Sequence, residues 1–160
     1  MASIIRQTGA LVLLLILVGF VAFIGGRFTA ASVQDWYQQI EKPSWRPPDW
    51  VFGPVWTVLY ILMAVAAWLV WRKAGFGGAA GPLTLFAIQL VLNAFWSYLF
   101  FGLESPFAAF VELLVLWTAI ALTTAAFWRV APLAGVLLLP YLLWVTFAGV
   151  LNCAIWRMNA

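Results

Sequence analysis

The chain has no histidine and a single cysteine, Cys153. The first absence removes a His–Ser or His–Cys catalytic pair, a histidine-ligated haem and most histidine metal sites. The second removes an intrachain disulfide and a cysteine metal cluster. Charge is scarce too: charged residues are 8% of the 160, against about 25% in an ordinary soluble domain. The carboxylates are Asp35, Glu41, Asp49, Glu104 and Glu112, and 8 basic against 5 acidic residues leave a net charge of +3. That is too weak and scattered for a nucleic-acid surface. No metal site and no resident cofactor are expected. What is abundant is apolar: hydrophobic residues reach 66%, mean hydropathy is +1.05, and tryptophan occurs 11 times. These values exclude disorder, a disulfide framework and an ordinary soluble enzyme, and leave an integral membrane protein of one domain, residues 1–160.

Five apolar runs stand between charges, glycines and prolines, at about 4–24, 50–71, 82–101, 106–128 and 132–156. Each reaches the roughly 20 residues a helix needs to cross about 30 Å of hydrocarbon. The expected fold is therefore an all-α membrane protein, a five-transmembrane-helix bundle with consecutive spans antiparallel. Pro82, Pro106 and Pro132 sit at span starts, where a first-turn proline costs no hydrogen bond, and Ser105 is placed to cap the fourth span. The first run also has features of a signal peptide, with Arg6 before it and Thr29-Ala30-Ala31 after it, but it is long for that role and four spans follow. The Gly77–Gly81 stretch has GxxxG spacing yet falls between spans, which reads as a loop.

Residues 27–49 form the long polar segment. Trp36 and Ile40 are four apart, which suits a short interfacial helix over 33–40. Pro43, Pro47 and Pro48 then stiffen the chain. Such a segment is expected to be ordered and to act as a lid on the bundle. Lysine and arginine divide equally between the two membrane sides, and the acids favour the long loop outside with the N-terminus in the cytoplasm.

Within the spans, Gln89, Asn93 and Ser97 recur every four residues and make one polar stripe, with Trp96 and Phe100 beside it. Trp56, Tyr60 and Met63 share a face of the second run; Trp144, Ala148 and Asn152 share one in the fifth, near Tyr141. Pro140 is expected to kink that helix. Two readings follow from the residues: an aromatic-walled cavity for a large, flat, mostly apolar ligand, or amides that join helices and aromatics that pack. Glu112 is the carboxylate deep in a span, either a functional group or an acid bonded to a neighbour.

Trp36-Tyr37, then Glu41-Lys42-Pro43-Ser44-Trp45-Arg46-Pro47-Pro48, then Trp50-Val51-Phe52-Gly53-Pro54-Val55-Trp56-Thr57-Val58-Leu59-Tyr60 resemble the signature of the tryptophan-rich sensory protein family. That family includes the mitochondrial translocator protein, or peripheral-type benzodiazepine receptor. Gln89, Asn93, Trp96 and Ser97 match it in the third run. Pro140-Tyr141, Trp144, Ala148 and Leu151-Asn152, up to Trp156-Arg157, match it in the fifth. The resemblance covers about 33–157.

The resemblance implies a five-helix bundle, a homodimer in a lipid membrane, and ligands that are porphyrins such as protoporphyrin IX, sterols, and isoquinoline or benzodiazepine-type drugs. It implies a pocket under the first loop formed by Tyr37, Trp56, Asn93, Trp96, Trp144 and Ala148. It implies sensing, transport or disposal of tetrapyrroles, with light-dependent protoporphyrin IX degradation through Trp56 and Trp144 as the enzymatic alternative. A proton-coupled transporter using Glu112 is a further alternative. Cys153 stands where the vertebrate sterol motif has tyrosine, which weakens the implication for sterols. The lack of a vertebrate-like charged tail after Arg157 fits a bacterial cell membrane.

Overall fold

The computed structural model describes residues 2–160, and among these there are helices and no strand. Helix α1 is Ala2–Ser32, the short α2 is Trp36–Gln39, and α3 is Asp49–Ser97, continued by a π-helical turn, Tyr98–Gly102. Helices α4, Pro106–Val130, and α5, Pro132–Met158, complete the chain.

The stretch from Asp49 to Gly102 is 54 residues, roughly 80 Å if straight and far more than one crossing. It is not straight. Gly75 leaves the helix with φ 64 and ψ −175, a conformation open to glycine and strained for any other residue. The two arms, 49–74 and 76–97, fold back on each other. Tyr60 meets Asn93, while Met63, nearer the turn, meets Gln89, also nearer the turn. With this hairpin, α1, the two arms, α4 and α5 make a five-helix bundle. Among the described residues, four helices are long and apolar enough to cross a membrane, the hairpin counting as one. The glycine-rich stretch 77–81 is helical and not the loop its composition suggested. Its glycines keep the helical hydrogen bonds, and Gly75 alone makes the reversal.

Between α4 and α5 a single residue, Ala131, serves as the end of one helix and the start of the next, with Pro132 in the first turn. Gly135 is required there: a Cβ would lie 2.7 Å from the Trp128 side chain and 3.0 Å from its Cα. Ser105 occupies the N-cap position of α4, but its hydroxyl makes no capping bond. Helix α5 continues through Pro140.

In lipid, helices associate through close packing more than through the hydrophobic effect, so small residues belong between them. Ala64, Ala66 and Ala67 on the first arm and Ala79 on the second are fully buried. Phe86 stacks on Phe127, with ring centroids 5.8 Å apart, joining the second arm to α4. Helix α1 packs on α3 and is pinned by the Trp68 indole, which donates to the Gln7 carbonyl at 2.9 Å. Ile5, Leu13, Phe20 and Phe23 on α1, with Leu114, Leu133 and Leu143 on α4 and α5, are exposed, as expected of surfaces that face hydrocarbon.

Candidate ligand-binding site

A cavity of about 680 Å³ lies between α1, both arms of α3, the π-helical turn and α5, and α2 contributes to its wall. Tyr37, Trp56, Asn93, Trp96, Trp144 and Ala148 all line it. The volume falls in the range of about 300–1,000 Å³ typical of small-molecule sites.

Helical spacing explains most of the wall. Trp56 and Tyr60 are one turn apart on the first arm, with ring centroids separated by 5.6 Å, and Trp56 meets Tyr141 at 6.0 Å. Trp96 stacks on Phe100 at 5.2 Å. Trp144 touches Phe52 at 5.7 Å and Phe147 at 5.5 Å. Of the polar stripe, Asn93 and Ser97 reach the cavity. Gln89 lies deeper, where its amide approaches the Met63 sulfur at 3.8 Å.

The amides are occupied by the protein. Tyr60 Oη donates to Asn93 Oδ1 at 2.5 Å, and Asn93 Nδ2 donates to Tyr141 Oη at 3.0 Å. One side chain thus joins both arms of α3 to α5. Asn152 accepts from the Trp96 indole at 3.1 Å and donates to the Pro106 carbonyl at 2.8 Å. Asn93 therefore acts as helix-joining glue even though it stands on the cavity wall. Most of what the cavity offers a ligand is ring face, with the Trp56 and Trp144 indoles and the Ser97 hydroxyl as further polar groups in its lining.

The polar segment supplies a cover. Helix α1 extends to Ser32, so this segment is shorter than 27–49, and its helix is reduced to the single turn of α2. Tyr37 is buried against Phe100 and Phe101, at 6.3 and 5.7 Å. Lys42 donates to the carbonyls of Tyr37 and Ile40, and its ammonium lies 4.8 Å from the Tyr37 ring centroid. Burial pushes the Tyr37 phenol above its ordinary 10.0, with the Arg46 guanidinium pulling the other way, so the hydroxyl is neutral at physiological pH. Trp45 meets Phe147 on α5 at 6.1 Å. Asn159, just past α5, exchanges two hydrogen bonds with the Glu41 backbone, each 2.9 Å.

Glu112 lies off this wall. It is buried in α4 with neither carboxyl oxygen bonded among the described residues. Cys153 is half-buried and free. Residue patterns missed the contribution of α1, whose Gly19, Ala22, Gly26 and Ala30 line the cavity. Their spacing of three and four residues is the signal of a close-approach face.

The fold and cavity define a multi-pass helical membrane protein with an aromatic, ligand-sized interior. The TspO/MBR family model matches residues 11–157, and the chain belongs to this family. The tryptophan-rich protein TspO of Chlorobaculum tepidum is 46% identical over 143 residues, 87% of this chain and 89% of that protein. The human translocator protein is 45% identical over 139 residues, covering 86% and 82% of the two chains. The tryptophan-rich sensory protein of Cereibacter sphaeroides is 39% identical over 143 residues, covering 88% and 89%.

Proposed function

We propose that the cavity binds porphyrins, metal-free protoporphyrin IX among them, and that the protein serves sensing, transport or disposal of tetrapyrroles in its membrane. The observation that carries this reading is the set of indole and phenol rings from four segments around one cavity whose amides are already engaged. Such a wall favours a broad, flat, apolar ligand over a polar one. The chain has no histidine to ligate a haem iron, which favours the metal-free ring. The test is a titration of the purified protein with protoporphyrin IX, followed by tryptophan fluorescence. Saturable quenching that weakens in Trp56→Phe and Trp144→Phe supports the reading; linear quenching, the signature of partition into the micelle, refutes it.

A second reading, light-dependent breakdown of the bound porphyrin, draws on one observation. The Trp56 and Trp144 indoles both line the cavity, and neither N–H is hydrogen-bonded among the described residues. Loss of the porphyrin absorption band under illumination but not in the dark tests it. Here tryptophan-to-phenylalanine changes are expected to stop turnover while quenching, though weaker, stays saturable.

A further inference from the structure

A second hollow, of about 470 Å³, lies on the outside of the bundle between the first arm of α3 and α5. Pro54, Val55 and Val58 form one wall; Pro140, Leu143 and Trp144 form the other. Its lining residues are all apolar. Val58 is 56% exposed and Leu143 70% exposed, and both stand well inside their spans, so the groove opens toward hydrocarbon.

Among the described residues, Trp144 alone lines both this groove and the inner cavity. It stands where the two hollows approach each other. Among the described residues its indole is held by contacts with Phe52 and Phe147 and by no hydrogen bond. Trp96, on another wall, is by contrast tied to Asn152 at 3.1 Å. Pro140, one turn before Trp144, lacks the N–H that would tie this part of α5 to the preceding turn.

The competing way in is through the cover. Opening it breaks the two Asn159–Glu41 bonds, parts Trp45 from Phe147, and unburies Tyr37. A flat apolar ligand also concentrates in the bilayer rather than in water.

We propose that this groove is the membrane-side vestibule of the cavity and that the Trp144 indole is the shutter between them. A flat apolar ring dissolved in the bilayer seats in the groove. It then passes between the first arm of α3 and α5 as the indole swings. The inference rests on the porphyrin reading for its probe.

The experiment uses the protein in lipid nanodiscs, with protoporphyrin IX loaded into the bilayer and tryptophan quenching followed in time. Leu143→Trp fills the groove from α5 and leaves the cavity wall intact. An obstacle on the route raises the barrier equally in both directions, so association and dissociation should each slow about tenfold with Kd unchanged. Val58→Trp, from the opposite wall, should do the same and covers a failure of Leu143→Trp to fold. Asn159→Ala, which loosens the cover, should leave both rates unchanged. Wild-type rates in both groove variants, or faster association in Asn159→Ala, overturns the route while the binding reading stands. Absence of saturable quenching in the unmodified protein overturns the binding reading, and the route with it.

Discussion

Asn159 and Glu41 are 118 positions apart and bonded like neighbouring strands: the Glu41 N–H donates to Asn159 Oδ1, and Asn159 Nδ2 donates to the Glu41 carbonyl, each at 2.9 Å. The same amide nitrogen also reaches the Ile155 carbonyl at 2.8 Å, so the latch is anchored on the last turn of α5. Asn159→Ala removes both bonds to the segment covering the cavity. A typical hydrogen bond contributes about 0.5–1.5 kcal/mol net. The expected effect is local opening with little change in global stability: the Glu41 amide should exchange its hydrogen about tenfold faster, and protease should cut within 41–47 sooner. Unchanged protection at Glu41 would show that the packing of Tyr37 and Trp45 holds the cover without the latch.

Asn93 bridges Tyr60 and Tyr141. Asn93→Leu keeps the branched shape and heavy-atom count and strands two tyrosine hydroxyls. Interhelical hydrogen bonds in membranes contribute about 0.6 kcal/mol on average and up to about 1.7 each. The variant should therefore be destabilised by about 1–3 kcal/mol, read as a lower midpoint of thermal unfolding in detergent. Because both the oxygen and the nitrogen of the amide are already bonded to tyrosines, protoporphyrin affinity per folded molecule should fall less than in Trp56→Ala. The reverse ranking would make Asn93 a ligand anchor.

The five-helix pattern was legible because each crossing needs a long apolar run, a constraint that leaves its mark on composition. The wall residues were legible for a related reason: tryptophan inside a span is conspicuous, and a four-residue spacing assigns a face. Three features were hidden. The reversal at Gly75 depends on one residue's positive φ within a glycine-rich stretch, and the sequence does not distinguish which glycine takes it. The Asn159 latch binds backbone, so nothing in the identity of Glu41 announces it. The share of α1 in the cavity depends on glycines and alanines, whose part is to leave space, and space has no side-chain signature. Gly25 shows the same economy: a Cβ there would lie 3.1 Å from the Ser97 hydroxyl.

Position relative to the cavity should separate tryptophans that look equivalent in a helical run. Trp56 and Trp144 line the cavity. Trp117 lies outside it, 39% exposed, with its indole donating to Thr146 at 2.8 Å. Trp56→Ala and Trp144→Ala should each weaken protoporphyrin IX binding tenfold or more, about 1.4 kcal/mol or above. Trp117→Ala should leave Kd within about twofold, a change of a few tenths of a kcal/mol. Three equal losses in the same fluorescence titration would mean that the ring binds elsewhere.

Glu112 presents the opposite case to Asn93: a buried acid with both oxygens unpartnered among the described residues and only 7% of its surface exposed. A buried polar group without a hydrogen bond costs about 1–3 kcal/mol, and an apolar side chain of similar shape removes that cost. Glu112→Met should therefore raise the thermal midpoint in detergent, or leave it unchanged. A midpoint lowered by several degrees would mean that the carboxyl is bonded in the working protein. An ionisable group inside a span is a candidate for function, a proton relay among the roles open to it. That role is separable from stability. In proteoliposomes, Glu112→Gln should flatten the pH dependence of porphyrin uptake if the acid carries protons. An uptake rate and pH profile identical to the unmodified protein, with the midpoint preserved, would remove Glu112 from the transport mechanism.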